Sequence, residues 1–251
     1  MKKKYMIAGI CCLCACVLCL VLAWGGPQEV SEPPLVEEPE EEPGEPYVSP
    51  IDFEKLQKEN PDIYGWLEVP DTNISYPVLQ HPEDDTYYLA RDIEGNWKAD
   101  GSLFTEKTYN GTDLEDPVTV IYGHRMNSGA MFGNMQATYS DPKTFATHTE
   151  VIMYLPDKEL HYTVFAALPY DKIHILYNYN FRNDSIYRGF FDDVYSTREI
   201  GANFNEEVDA VEPGQRILIL STCLMGDRSR RYLVMARCDE DVEVLSSDGS
   251  L

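Results

Sequence analysis

The chain has little positive charge and lacks the motifs of nucleotide and zinc sites. It carries 20 Lys and Arg against 43 Asp and Glu, a formal net charge of −23. A surface this acidic repels a phosphate backbone, so nucleic acid is not an expected partner. The sequence contains neither a phosphate-binding glycine loop nor a His-Glu-x-x-His zinc motif. We therefore expect no cofactor and no metal site.

Cysteine is scarce outside one apolar segment. Five of the seven cysteines lie between positions 11 and 19, where they are most simply small apolar side chains. The other two, Cys223 and Cys238, would suggest a disulfide in an exported protein. Residues 216–223 and 231–238 are both strand-like, however, and antiparallel pairing would separate the two sulfur atoms by about 20 Å, beyond the ~7 Å Cα limit for a bridge. We therefore predict that Cys223 stays a free thiol because it has a catalytic role.

The first 25 residues have the pattern of a membrane anchor. Lysines at positions 2–4 precede an uncharged apolar run of 19 residues at 6–24. As a helix this run would span about 28 Å, close to the ~30 Å hydrocarbon core. The positive-inside rule then places the lysines in the cytoplasm and the rest of the chain outside the cell, as a single-pass membrane protein. Two alternatives stay open, a cleaved signal peptide and a lipoprotein signal at residues 13–16.

Residues 26–50 have the composition of an extended spacer. They include seven prolines and eight glutamates but no Lys or Arg. Such a segment buries too little apolar surface to offset the entropy of ordering it. We predict a disordered spacer here, one globular domain at residues 51–240 and a C-terminal tail at 241–251.

The globular domain is predicted to be mostly β. Residues 51–67 are expected to form a helix that Asn60-Pro61 breaks into two pieces, and residues 185–197 have the apolar spacing of a second helix. Short strands separated by turn residues indicate a barrel or a sandwich. The predicted strands are residues 74–79, 102–104, 118–122, 151–155, 161–167, 216–223 and 231–238.

The last two strands are expected to bring a thiol and a guanidinium together. The almost continuous apolar run at residues 215–220 is followed by three small residues, the last of them Cys223, so the strand delivers a sulfur atom to the rim of the sheet. In the expected register Arg231 lies opposite Cys223, where its fork of donors suits a developing oxyanion. Arg228 and Arg230 are rival candidates for this role, although Arg230 is expected on the other face of the strand.

One histidine has the setting of a catalytic residue. Of the five histidines in the chain, His124 follows a predicted strand and a glycine, residues 118–123. An imidazole at a strand end can protonate a leaving amine and later deprotonate an incoming one. Thiol, imidazole and guanidinium together are the groups that nucleophilic acyl transfer requires.

Seven short segments carry a resemblance to a known family. They are Asn-Pro-Asp-Ile-Tyr-Gly-Trp-Leu at 60–67, Asn-Ile-Ser-Tyr-Pro-Val at 73–78, Tyr-Tyr-Leu at 87–89, Gly-Ser-Leu-Phe at 101–104, Ile-Tyr-Gly-His at 121–124, Met-Phe at 131–132 and Leu-Ser-Thr-Cys at 220–223. In this order, over residues 51–238, the chain resembles the sortases, and most closely the class B sortases. It departs from the usual Thr-Leu-x-Thr-Cys signature at Ile219, where threonine is common.

The resemblance implies a fold and an activity. The fold is a closed eight-stranded β-barrel with an N-terminal helical extension and a helix in the loop preceding the cysteine strand. Sortases are membrane-anchored cysteine transpeptidases of Gram-positive bacteria that cut a C-terminal sorting signal after threonine. The partners implied are surface proteins with such a signal and an amine of a peptidoglycan precursor or a pilin.

The resemblance also assigns roles to residues. Cys223 matches the nucleophile, His124 the acid and base, and Arg231 the clamp on the carbonyl group. Three further residues match positions that line the peptide groove, namely Leu89, Ser221 and Thr222. Two other functions stay open. A secreted cysteine peptidase would use the same groups but release a free acid, and a noncatalytic cell-surface binding module would account for the anchor and spacer but not for the thiol.

Overall fold

The structure of the chain, a computed structural model, describes residues 47–242. The predicted membrane anchor, nearly all of the predicted spacer and most of the predicted tail lie outside these residues. Within 47–242, no helix combines the length and the apolar character needed to cross a membrane.

Strands dominate the described residues, and the helices are short. The strands are β1 (Ile63–Glu68), β2 (Ser75–Leu79), β3 (Leu103–Phe104), β4 (Val118–Tyr122), β5 (Glu150–Tyr154), β6 (Glu159–Asp171), β7 (Asn203–Phe204), β8 (Ile217–Leu224) and β9 (Asp227–Val242). The helices are α1 (Phe53–Glu59), α2 (Met135–Ser140), α3 (Pro142–Phe145), α4 (Ile175–Asn178) and α5 (Asp184–Ser196), with a 3₁₀ turn at Tyr87–Ala90.

Eight of the strands close into a barrel. Their order is β5-β1-β2-β3-β4-β8-β9-β6, and β6 also pairs with β5, which joins the two edges. The short strand β7 adds to β6 outside this ring. Neighbours are antiparallel except for the parallel pairs β2–β3 and β4–β8. The predicted eight-stranded barrel is confirmed, with β7 as an additional strand.

The strand that carries Cys223 is buried on both faces before it reaches the rim. On β8, Leu218 and Leu220 belong to the core inside the barrel, whereas Ile217 and Ile219 belong to a second core on its outer surface. All four side chains are fully buried. Two covered faces explain the uninterrupted apolar run of this strand.

Helix α5 covers the outer core. Its aromatic residues Phe190 and Phe191 are buried against the barrel, and the rings of Phe191 and Phe165 lie 5.9 Å apart. The helix begins after Asn183, whose side-chain oxygen accepts hydrogen bonds from the main-chain N–H groups of residues 185 and 186, a good N-cap. The predicted helix in the loop before the cysteine strand is therefore confirmed.

The prediction for the N-terminal helix is only half right. Helix α1 forms, with Asp52 as its N-cap accepting from the N–H of Lys55 at 3.0 Å, and it ends at Glu59 with Asn60 as its C-cap. The second helical piece, predicted up to Leu67, is wrong, because Ile63–Glu68 is strand β1. This strand pairs with β2 on one side and β5 on the other. Those two ladders satisfy its backbone, so tertiary pairing overrides the local helical pattern.

The last two strands pair in the predicted register. Cys223 lies opposite Arg231 across the β8–β9 ladder. At the other end of the same ladder, the N–H of Cys238 donates to the carbonyl oxygen of Arg216 at 2.9 Å. The two cysteines therefore lie at opposite ends of the hairpin and are not joined in a disulfide.

Candidate active site

The parallel pairing of β4 and β8 sets the site at one edge of the barrel. Tyr122 pairs with Ser221, and the N–H of Gly123 donates to the carbonyl oxygen of Ser221 at 3.1 Å, which extends the ladder by one residue. Both strands therefore end at the same edge of the barrel. His124 lies two residues after the end of β4, and Cys223 is the second-last residue of the neighbouring strand β8. The backbones of neighbouring strands lie about 4.8 Å apart.

The glycine before His124 is required by packing. A Cβ atom at Gly123 would lie 2.5 Å from Cδ2 of Leu103 and 2.6 Å from Cδ2 of Phe132. Both neighbours are fully or almost fully buried, so they have little room to move. The Gly-His pair recognised in the sequence therefore has a steric cause, since the chain passes close to the core just before it presents the imidazole.

Arg231 contacts the sulfur atom of Cys223. Its Nη1 atom lies 3.5 Å from Sγ, and both side chains are half-buried. The rival arginines are elsewhere: Arg230 makes two hydrogen bonds of 2.7 Å to Glu199, and Arg228 is exposed. The geometry thus brings the predicted arginine to the thiol.

The imidazole of His124 is held by a main-chain group. Its Nε2 atom lies 2.6 Å from the carbonyl oxygen of Leu89, which sits in the 3₁₀ turn. A carbonyl oxygen only accepts, so Nε2 carries the proton in this arrangement. The side chain of Leu89 is 46% exposed beside this contact. The structure therefore brings the backbone of Leu89 to His124.

Ser221 and Thr222 lie on opposite faces of β8. The side chain of Ser221 shares the outer face with Cys223 and lines a cavity with Arg231. Thr222 is 2% exposed, lies opposite the core residue Tyr232, and its hydroxyl has no hydrogen-bond partner among the described residues. The structure thus places the side chain of Ser221 at this cavity and the side chain of Thr222 toward the barrel interior.

A cavity of about 220 Å³ opens on the outer face beside Cys223 and Arg231. One wall comes from the barrel and the other from the segment that follows β6. It is lined by Tyr122, Tyr170, Asp171, Lys172, Ile173, His174, Ile175, Ser221 and Arg231.

A cluster of polar side chains that the sequence did not indicate lies at this cavity. Glu106 is almost fully buried, and the Nε2 atom of His174 lies 3.1 Å from its Oε1 atom. Burial raises the pKa of Glu106, and His174 and Tyr122 oppose this. Burial also raises the pKa of Tyr122, an effect that Glu106 reinforces and Arg231 opposes. His174, Glu106 and Tyr122 thus form one polar cluster beside the cavity.

Among the residues that the structure describes, no group of three or more His, Cys, Asp and Glu side chains is arranged to hold a metal ion.

Comparisons with known proteins point to one family. Residues 67–239 match the sequence model of the Sortase domain. The chain is 40% identical to Sortase B of Listeria monocytogenes over 94 residues, 37% of each protein. It is 28% identical to Sortase B of Staphylococcus aureus over 187 residues, 74% of this chain and 73% of that protein.

Solved structures give the same result. The crystal structure of sortase B from B. anthracis, in complex with AAEK1, superposes with a TM-score of 0.65 at 27% identity. The superposition covers 75% of this chain and 84% of that one. The overall fold of the described residues is therefore similar to that of a solved sortase B.

Proposed function

Because this chain belongs to the sortase family, as a class B sortase and hence a cysteine transpeptidase, we propose that it cleaves the C-terminal sorting signal of surface proteins. The acyl group is held as a thioester on Cys223 and passed to an amine. The observation that carries this proposal is the contact between Arg231 and the Cys223 sulfur, 3.5 Å long, at the rim where His124 also emerges.

In the first half-reaction the thiol replaces an amine on the peptide carbonyl. The Cys223 thiol gives its proton to His124, and the thiolate attacks the carbonyl carbon, forming the S–C bond. Arg231 donates N–H groups to the oxyanion that develops. The C–N bond then breaks, and the imidazolium returns its proton to the leaving amine. The Leu89 carbonyl, 2.6 Å from Nε2, orients the ring.

In the second half-reaction an amine replaces the thiol. The acceptor nitrogen attacks the thioester carbonyl, His124 removes its proton, and the C–S bond breaks to restore the Cys223 thiol. One amide is exchanged for another, so the bond energy is conserved without a nucleotide. This suits a catalyst outside the cell, where no nucleotide is available.

The groove beside Cys223 suits an extended peptide. Ser221 lies two residues before Cys223 on the same face of β8, about 7 Å along the strand. An extended peptide joined to the sulfur therefore reaches the 220 Å³ cavity within two or three residues. We assign upstream side chains of the sorting signal to this cavity and to the exposed surface of Leu89.

We also propose a cellular location and partners for this protein. Residues 6–24 anchor the protein in the cell membrane with its N-terminus in the cytoplasm, and residues 26–50 hold the catalytic domain away from the bilayer. The substrates are surface proteins, and the acceptor is an amine of a peptidoglycan precursor or a pilin. The apolar run with its preceding lysines, and the proline- and glutamate-rich composition that follows, support this part.

The test uses the full chain, solubilised in a mild detergent, and a pool of quenched-fluorescent peptides. Threonine is fixed before the scissile bond, and the upstream positions are randomised. We expect an acyl-enzyme mass on Cys223, absent in Cys223→Ala, and an amide product when oligoglycine or a lysine amine is added. Release of free acid alone, whatever amine is present, would identify a peptidase instead. A thiol that neither acylates nor reacts with a small thiol reagent would point to a noncatalytic module.

A further inference from the structure

One wall of the cavity beside the thiol is formed by a segment that is poorly buried. Of residues 171–175, which continue from the end of β6, Asp171, Lys172 and Ile173 are all exposed, and Ile173 retains 42% of its surface. Only Ile175 within this stretch is packed into the outer core. Apolar burial alone therefore does little to fix the position of this wall.

His174 ties this wall to the structure through both of its ring nitrogens. Nδ1 accepts a hydrogen bond from the N–H of Tyr177 at 3.1 Å, which makes His174 the N-cap of α4. Because Nδ1 accepts, Nε2 carries the proton and donates it to Glu106, at 3.1 Å from Oε1. The carbonyl oxygen of His174 also accepts from the side-chain amide of Asn178 at 2.7 Å.

Glu106 is a fixed point on the barrel. It lies two residues after β3 and is 9% exposed. Its carbonyl oxygen accepts from the N–H groups of Tyr109 and Asn110 at 3.0 and 2.9 Å. The Tyr109 ring lies 4.9 Å from the His174 ring. The main chain at Glu106 is thus fixed by its own loop, and a buried carboxyl that loses its donor is costly.

We propose that Glu106 and His174 are positioning residues of the transpeptidase, whose hydrogen bond holds residues 171–175 as the wall of the cavity that receives the sorting peptide. We call this contact the latch. It touches neither the thiol nor the reacting carbonyl, so it acts on peptide binding and not on the chemical step. The inference rests on the function proposed above.

The experiment compares four variants of the full chain in detergent. Glu106→Leu removes the acceptor while keeping much of the volume. His174→Asn keeps a good helix N-cap but is too short to reach Glu106. Glu106→Gln keeps one oxygen that accepts from Nε2 but removes the charge, and its amide nitrogen takes the place of the second carboxylate oxygen, which also lies within 3.0 Å of Nε2. His161→Asn is the matched control, because His161 also contacts glutamates but lies near the start of β6.

Two quantities are measured on each variant. The first is the KM and kcat for the most rapidly cleaved peptide of the pool described above. We expect Glu106→Leu and His174→Asn to raise KM about tenfold with kcat changed by less than about twofold, since a partly buried charge-assisted hydrogen bond is lost. Glu106→Gln should fall between the wild type and Glu106→Leu, because it keeps one acceptor oxygen without the charge, and His161→Asn should stay near the wild type. The second is amide hydrogen exchange of residues 171–178, which should quicken most in the two disrupted variants.

The outcomes separate this inference from the proposed function. Unchanged exchange in Glu106→Leu and His174→Asn would show that no latch exists. Faster exchange with an unchanged KM would show that the wall does not bind peptide, and a fall in kcat alone would assign the pair a chemical role instead. If Glu106→Gln were as impaired as Glu106→Leu, the charge and not the hydrogen bond would matter. If the wild type formed no acyl-enzyme at all, the proposed function would fail, and the role of the latch in peptide binding would fail with it.

Discussion

At the scale of residues, two adjacent arginines have separate tasks. Arg231 lies on β9, on the same face of the sheet as the thiol of Cys223 on β8, and its Nη1 atom is 3.5 Å from Sγ. Arg230 points to the other face, where it binds both carboxylate oxygens of Glu199 and secures the loop after α5. The alternation of side chains along a strand is enough to assign the two roles.

Replacing each arginine in turn should show that Arg231 acts on the oxyanion and that Arg230 acts only on the loop after α5. We expect Arg231→Ala to lower the rate of Cys223 acylation by about 10²–10³-fold, the usual cost of removing one oxyanion donor. Arg231→Lys should recover only part of this rate, because an ammonium lacks the fixed fork of donors. Arg230→Ala should lower it less than about tenfold. Stopped-flow measurement of acyl-enzyme formation decides the matter, and an Arg231→Ala variant as fast as the wild type would disprove the assignment.

Gly123 offers a second test at this scale. We expect Gly123→Ala to destabilise the domain by about 1–3 kcal/mol, since the added methyl group overlaps Leu103 and Phe132 in a packed core. It should also slow acylation, because the strain is relieved by moving the neighbouring His124. Urea unfolding and acylation rates measure the two effects. A variant with wild-type stability would mean that the core has more room here than the contacts suggest.

At the scale of elements, local patterns predicted the site better than the fold around it. The β8–β9 hairpin was predictable because its register depends on one short turn, and this register sets Cys223 opposite Arg231. Strand β1 was missed because one of its two partners, β5, is distant in sequence, and pairing with β5 is what places β1 inside the sheet. The contact between Glu106 and His174 joins two loops 68 residues apart. No periodicity or motif indicates which loop packs on which, so this contact could be found only from the folded chain.

Helix α5 has one position where its sequence is not optimal. Gly189 lies in the middle of the helix, and a Cβ atom built there meets no other atom within 4 Å. We expect Gly189→Ala to stabilise the domain by about 0.5–1 kcal/mol, because alanine loses less backbone entropy on forming a helix. The measurement is the same urea titration that is used for Gly123→Ala. A destabilised Gly189→Ala would indicate that this face of α5 is covered in solution.

At the scale of the whole molecule, strand β6 connects two separate groups of charges. It runs from Glu159 to Asp171, which lies beside Arg230 near the thiol. His161, near its start, contacts Glu150 and Glu159 at 3.0 and 3.2 Å. Tyr170, which pairs with Arg231, lies nine positions further along the strand, so about 30 Å of extended chain lies between the two groups. Titration at one end should therefore leave the chemistry at the other end unchanged.

The stability of the domain should depend on pH through His161. Burial lowers the pKa of His161, but the two glutamates raise it by more, so its pKa in the folded chain lies above the ordinary value. The contact therefore stabilises the fold fully below about pH 6.5, the ordinary value, as long as the carboxylates stay ionised. The stabilisation is lost as the pH rises through the folded pKa.

We accordingly expect the wild type to exceed His161→Gln in unfolding free energy near pH 6, and the two to converge near pH 8. Urea titrations of both proteins, followed by tryptophan fluorescence at several pH values, measure this difference. A gap that stays constant from about pH 6 to pH 8 would mean that the imidazole contributes by packing and not by charge. The rate of Cys223 acylation should be the same in both proteins at every pH, since His161 lies far along β6 from the thiol. If the variant altered the pH profile of acylation, the two ends of the barrel would be coupled, and the independence argued from the length of β6 would be wrong.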